Sequence, residues 1–112
     1  MNNHWDFNSE IEKIIEFRDK RDWKKYHYPK DLAAALSIEA AELQDLFLWK
    51  DQESSEFIIS DSERIQDISD EVADVAIYLF LLVNELNIDL KMAIDQKIKK
   101  NERKYPISDL GS

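Results

Sequence analysis

Two pairs of acids stand where apolar residues are expected. Leu32, Leu36, Leu43 and Leu46 follow the three-and-four spacing of one helical face. Within "IEAAELQDLFLWK", Ile38 to Lys50, Glu39 falls on that face and Glu42 lies one turn further on. The segment "DEVADVAIYLF" repeats the anomaly: Ile65, Ile68, Val72, Val75, Leu79 and Leu82 mark a face predicted to be buried, and Glu71 and Asp74 lie three apart beside it. Side chains three apart on a helix have Cβ atoms about 5–6 Å from each other, so an exposed like-charged pair costs a few tenths of a kcal/mol, and burial raises the cost. With 24 acids in 112 residues, one such pair is an ordinary solvated face. Two pairs on the two most apolar helices, with the small Ala40, Ala41, Ala73 and Ala76 around them, predict a cation between them. Four carboxylates form an all-oxygen site that suits Mg²⁺, Mn²⁺ or Ca²⁺ better than zinc; Mg²⁺ is expected, with Mn²⁺ as a substitute. A di-iron bundle needs Glu-x-x-His pairs, and neither His4 nor His27 lies three residues after a glutamate.

The remaining composition narrows the chemistry. A net charge of -9 opposes the phosphate attraction on which nucleic-acid binders depend, so DNA and RNA are not expected partners. The chain has no cysteine, which removes disulfides, thiolate metal sites and a cysteine nucleophile. The only glycine is Gly111, so no glycine loop cradles a phosphate, and any phosphate must be held by side chains or metal ions. The longest uncharged run, "VAIYLFLLVN" from Val75 to Asn84, is far short of the roughly 20 residues of a membrane span. No leader pattern opens the chain, and a soluble cytoplasmic protein without membrane partners is the expectation.

The acids need elements to position them. Two prolines, one glycine and no alternating Val/Thr-rich run predict an all-α chain, a four-helix bundle in one domain over 1–112 with its core at about 9–106. The first helix is expected after a Ser9/Glu12 capping box, through "IEKIIEFRDKRDWKKY", with Ile11, Ile14 and Ile15 inward and Tyr28-Pro29 as its break. The second is expected from an Asp31 cap to about Trp49, followed by a polar connection, "KDQESSEF", with room for a short helical turn. The third follows a Ser60/Glu63 box to about Leu86, and the fourth runs from Asp89 to just before Pro106. The terminal "ISDLGS" reads as frayed, with Gly111 and Ser112 fitting an appended tail. A core this small also predicts a homo-oligomer, a dimer or tetramer.

The ordered set "KDLAAALSIEAAELQDLFLWK", "DEVADVAIYLFLL" and "KIKKNERKYP" resembles the MazG-like all-α nucleotide pyrophosphohydrolases, closest to their short dCTP pyrophosphatase-like branch, over roughly Phe17 to Pro106. The resemblance implies that Glu39, Glu42, Glu71 and Asp74 are catalytic and bind Mg²⁺. It implies cleavage of a nucleoside triphosphate between its α and β phosphates, to a monophosphate and pyrophosphate, as a means of clearing non-canonical or excess pyrimidine deoxynucleotides. Ions bridging the carboxylates and the triphosphate would neutralise phosphate charge, and a water activated by metal or carboxylate would attack the α-phosphorus in line. Glu39 and Glu42 are both candidates to accept the water's proton.

The same resemblance turns the basic helix end "KIKKNERKYP" from simple dipole compensation into a phosphate- and sugar-binding element comprising Lys97, Asn101, Lys104 and Tyr105. It assigns Trp23 and Trp49 to the base pocket and Tyr78 to the sugar, where an aromatic at helical spacing would otherwise be core. The role of His27 and Lys30, in "HYPKDL", stays open. The dCTPase-like relatives carry a base-contacting histidine nine residues before the first tryptophan, where this chain has Ile14, so strict dCTP preference does not follow. Related members act on dUTP or phosphoribosyl-ATP. The alternative from another class is a non-catalytic acidic helical protein that binds a partner through an apolar face.

Overall fold

A computed structural model describes residues 5–107, so His4, Gly111 and Ser112 lie outside the described residues, with most of the expected frayed tail. The described chain is helical: α1 (Phe7–Lys20), a single 3₁₀ turn (Lys24–Tyr26), α2 (Pro29–Asp45), the short α3 (Ser55–Ile59), α4 (Ser62–Glu85) and α5 (Leu90–Lys104). The four expected long helices are present, and α3 is the helical turn anticipated in the polar connection.

Several boundaries move for local reasons. Helix α1 starts earlier than a Ser9 cap would place it, because the Asp6 carboxylate accepts from the Asn8 N–H and takes the N-cap position upstream of Ser9. It stops at Lys20 and does not continue to Tyr26: Asp22 adopts φ 54, and the Trp23 N–H bonds back to the Arg18 carbonyl. Helix α2 begins at Pro29, whose fixed φ and missing N–H suit the first helical position, so Asp31 is an acid of the first turn and not the cap. It ends at Asp45, with the turns of Leu46, Phe47 and Leu48 closing onto Leu43, Gln44 and Asp45. Trp49, expected at the helix end, sits beyond it in the left-handed region at φ 63. Helix α4 is capped by Asp61, accepting from the Arg64 N–H at 3.1 Å, one residue after the expected Ser60. Helix α5 is capped by Asp89 as expected, with the Met92 N–H at 3.0 Å.

The core is small and centred on the α2–α4 pair. Leu32, Phe80, Leu81 and Val83 are buried, and Leu36, Leu43, Leu46, Ile65, Ile68, Val75, Leu79 and Leu82 are half-buried around them. Phe80 also receives the N-terminal region, with the Phe7 ring 4.8 Å away and Trp5 at 6.3 Å. Val72, expected on the buried face, is 50 % exposed, at a position on α4 that the other described helices cover only in part.

Helix α5 packs extensively against none of the other helices. It leaves α4 through a left-handed Asn87 at φ 53, with the Ile88 N–H bonded to the Val83 carbonyl in a Schellman-type end. The radius of gyration is therefore 17.7 Å, where a compact chain of this length has about 13 Å. No helix among the described residues is long and apolar enough to cross a membrane.

Candidate active site

Two helices set the site. One group of residues joins Glu39 and Glu42 of α2 to Glu71 of α4, and a second joins Leu32 and Ala35 of α2 to Tyr78 of α4. Numbers fall along α2 as they rise along α4, so the helices run antiparallel and bring their acid pairs to one level.

Carboxylate oxygens of Glu39, Glu42 and Glu71 all lie within 4.8 Å of one another. Asp74, one turn along α4 from Glu71, is outside that trio, but its charge is felt by both Glu39 and Glu71. No lysine or arginine lies within 4.0 Å of these four acids among the described residues. One oxygen of Glu71, Oε2, is buried without a hydrogen-bond partner. The electrostatic consequence is an upward shift: a hydrogen bond with Glu42, then burial, then the charges of Glu42, Glu71 and Asp74 push the Glu39 carboxyl up to about 7. Glu71 is raised chiefly by burial and then by the charges of Glu42 and Asp74. Acids crowded enough to retain a proton near neutrality, with a buried oxygen lacking a donor, fit a hard divalent cation taking oxygen ligands.

Beside this trio, between the same helices, lies a cavity of about 360 Å³, within the size range of small-ligand sites. Trp23, Tyr26 and Tyr78 give it aromatic walls, and Leu32 and Ala35 an apolar floor. Its polar lining is His27 and Asp31. Ala35 lies one turn from Glu39 and Tyr78 one turn from Asp74, so the cavity continues directly from the acids along both helices.

The expected aromatic pair is split. Trp23 and Tyr78 line that cavity, whereas Trp49, 99 % exposed, lines a separate and more open groove of about 560 Å³ with Phe57 and the 50–54 loop. The end of α2 at Asp45 is the cause, since Trp49 leaves the helical face four residues earlier than a helix to Trp49 would allow. The loop itself is pinned: Glu53 accepts both guanidinium N–H groups of Arg64 at 2.6 Å, with the Arg64 guanidinium 5.7 Å from the Phe47 ring.

Lys97, Asn101, Lys104 and Tyr105 lie on or just beyond α5 and line neither cavity. Three are exposed and Asn101 is half-buried; the Lys104 ammonium sits 5.3 Å over the Tyr105 ring.

Arg18 and Asp31 were not singled out for chemistry from the sequence. Arg18 is 5 % exposed and bonds Asp19 at 2.9 Å through Nε. His27, whose Nδ1 is buried without a partner, is held below the usual imidazole range by burial and by the Arg18 cation, against an opposing pull from Glu85. The signal for Arg18 was its place after Ile11, Ile14 and Ile15 in the same three-and-four spacing, which puts a cation on an apolar stripe.

The comparisons with known proteins agree with the architecture. The MazG-like family model matches residues 34–111, and the chain belongs to the MazG-like family. Among solved structures, it is similar to a pyrophosphatase from Archaeoglobus fulgidus, at 41 % identity and a TM-score of 0.80, covering 96 % of this chain and 99 % of that one. It is also 39 % identical over 93 residues to dCTP pyrophosphatase 1 of Bos taurus and 40 % identical over 92 residues to that of Homo sapiens, covering 82 % and 81 % of this chain. It spans about half of those relatives, 54 % of each.

Proposed function

We propose that the chain is a metal-dependent nucleoside triphosphate pyrophosphohydrolase that cleaves a (deoxy)nucleoside triphosphate to the monophosphate and pyrophosphate. The observation that carries this is the convergence of Glu39, Glu42 and Glu71 within 4.8 Å, with an unpartnered buried oxygen and no ion pair to these acids among the described residues, in a chain of the MazG-like family. The names of the pyrophosphatase from Archaeoglobus fulgidus and of the dCTP pyrophosphatases support it.

Glu39, Glu42 and Glu71, with Asp74 adjacent, would hold Mg²⁺, for which Mn²⁺ is the natural substitute. When bound, the ion neutralises triphosphate charge that acids alone would repel. In the reaction, a water oxygen bonds to the α-phosphorus as the α–β bridging P–O bond breaks, and pyrophosphate leaves with the bridging oxygen. The proton lost by the water goes to a carboxylate of the cluster, for which Glu39 and Glu42 are the candidates. The nucleoside end extends along the α2–α4 seam into the cavity of Trp23 and Tyr78.

The positive charge comes from α5, through Lys97, Asn101, Lys104 and Tyr105, in a dimer or tetramer whose neighbouring chains complete the site. The detached position of α5 and its exposed Met92, Ile94 and Ile98 favour such a partner. In the same assembly the exposed Trp49 becomes available to a neighbouring base pocket. A role in clearing excess or non-canonical pyrimidine deoxynucleotides follows from the substrate class.

The test is incubation with a panel of canonical and modified nucleoside triphosphates, in Mg²⁺ or in EDTA, with anion-exchange separation of products. Monophosphate plus pyrophosphate, lost in EDTA, is expected. No product from any triphosphate overturns the reading.

A further inference from the structure

The cavity beside the carboxylates carries one acid of its own. Asp31 lines it from the first turn of α2, and its carboxylate accepts no hydrogen bond and forms no ion pair among the described residues. It does not cap the helix, which starts two residues earlier at Pro29 without a side-chain cap. Asp31 is exposed, and an uncommitted acceptor at the rim of a largely aromatic and apolar cavity, whose other polar lining residue is His27, is the kind of sparse polar group that orients a ligand in such a site.

Its position along α2 decides what it faces. Asp31 and Glu39 are eight residues apart on one helix, a separation of about 12 Å along the axis at 1.5 Å per residue. Ala35 and Tyr78 lie between these levels. A nucleotide whose phosphates meet Glu39, Glu42 and Glu71 therefore places its sugar near Ala35 and Tyr78, and the far edge of its base at the level of Asp31. A carboxylate accepts hydrogen bonds and donates none when ionised. The far edge of cytosine carries an exocyclic amino group; uracil and thymine present a carbonyl oxygen at the same position.

We propose that Asp31 is a specificity-determining residue, whose carboxylate accepts a hydrogen bond from the exocyclic amino group of a 4-aminopyrimidine and repels the carbonyl of a 4-oxopyrimidine. The inference rests on the assignment of this seam to a nucleoside triphosphate. It gives Asp31 a role distinct from the general benefit of an acid in the first turn of a helix, which affects stability and not the choice of base. His27 also lines the cavity, and a substitution there would not test the acceptor that Asp31 supplies.

The test separates base choice from turnover. Non-hydrolysable α,β-imido analogues of dCTP and dUTP are titrated calorimetrically, with Mg²⁺, into the full chain and into Asp31→Asn, which keeps the size of the side chain but can donate as well as accept. The unsubstituted protein is expected to bind the dCTP analogue about tenfold more tightly or better, and Asp31→Asn to level or invert that ratio with little change in melting temperature. An unchanged ratio in Asp31→Asn, or no preference in the unsubstituted protein, overturns the proposal. Parallel hydrolysis assays with dCTP and dUTP keep the two readings apart. An Asp31-dependent preference in binding without turnover of any triphosphate sinks the pyrophosphohydrolase reading and leaves Asp31 as the base selector. Failure to bind either analogue overturns the Asp31 proposal, and the pyrophosphohydrolase reading falls with it only if no triphosphate is hydrolysed.

Discussion

Helices α2 and α5 are similar in length, 17 and 15 residues, yet they treat charge in opposite ways. In α2, Leu32 and its apolar neighbours press the helix onto α4, and Glu39 and Glu42 are carried to the seam without an ion pair among the described residues. In α5, Lys97, Lys99, Lys100, Arg103 and Lys104 are exposed, the apolar Met92, Ile94 and Ile98 stay about half exposed, and no other described helix packs extensively against α5. Hydrophobic burial thus fixes the acids within the chain and leaves the lysines on α5 in solvent; under the proposed function these are the anionic and cationic halves of one site. Acids held together by a core are costly until a cation arrives, whereas cations on an exposed helix cost little in solvent.

The comparison breaks first at Glu71. Glu71→Gln removes a charge whose Oε2 has no partner and relieves repulsion among the acids. Turnover is expected to fall at least about a hundredfold, while the melting temperature of the metal-free protein holds or rises. Melting curves in EDTA beside product analysis in Mg²⁺ decide it, and full turnover in Glu71→Gln would reduce the trio to a surface feature. A smaller effect, about tenfold, is expected for Lys97→Ala, as the loss of one charge-assisted contact to phosphate. Mixing the two variants then sharpens the comparison. If α5 serves the site of a neighbouring chain, assemblies of Glu71→Gln with Lys97→Ala contain sites with both intact halves, and turnover exceeds the sum of the separate variants. If α5 folds back on its own chain, every site in the mixture stays damaged and no recovery is seen.

What the sequence made legible follows the same division. The two acid-bearing helices were readable because their apolar spacing and their acids share one helical period, whereas their antiparallel pairing was not, and Asp89 announced α5 by its cap. Helix ends governed by competition were not: Asp6 and Ser9 are both good caps, and only the backbone geometry selects Asp6. The left-handed residues that stop α1 and place Trp49 off its helix, Asp22 and Trp49, carry no glycine to advertise them. Val72 shows a different limit, since an apolar residue on the right stripe is buried only if something covers that stripe. Arg18, a cation on an apolar stripe, was visible as an exception but not as the neighbour of His27, which comes from a turn that periodicity does not describe.

The gentlest probe of the comparison is pH. The Glu39 carboxyl stands at about 7 in the folded chain against an ordinary 4.5, so between these values the folded state binds more protons than the unfolded state. Stability therefore decreases with rising pH across that window and levels off above it. Glu39→Gln has no such group, and the difference in melting temperature between it and the unsubstituted protein in EDTA isolates the contribution. The unsubstituted protein is expected to lose ground steadily from about pH 5 to pH 7 relative to Glu39→Gln. Mg²⁺ competes with the retained proton, so the gain in melting temperature on adding it should grow with pH over the same interval, with proton release on binding near neutrality. On α5, where no such crowding exists, Lys97→Met should leave both slopes unchanged. A pH slope that Lys97→Met removes and Glu39→Gln preserves would move the titrating cluster from the α2–α4 seam to α5 and reverse the division of charge between them.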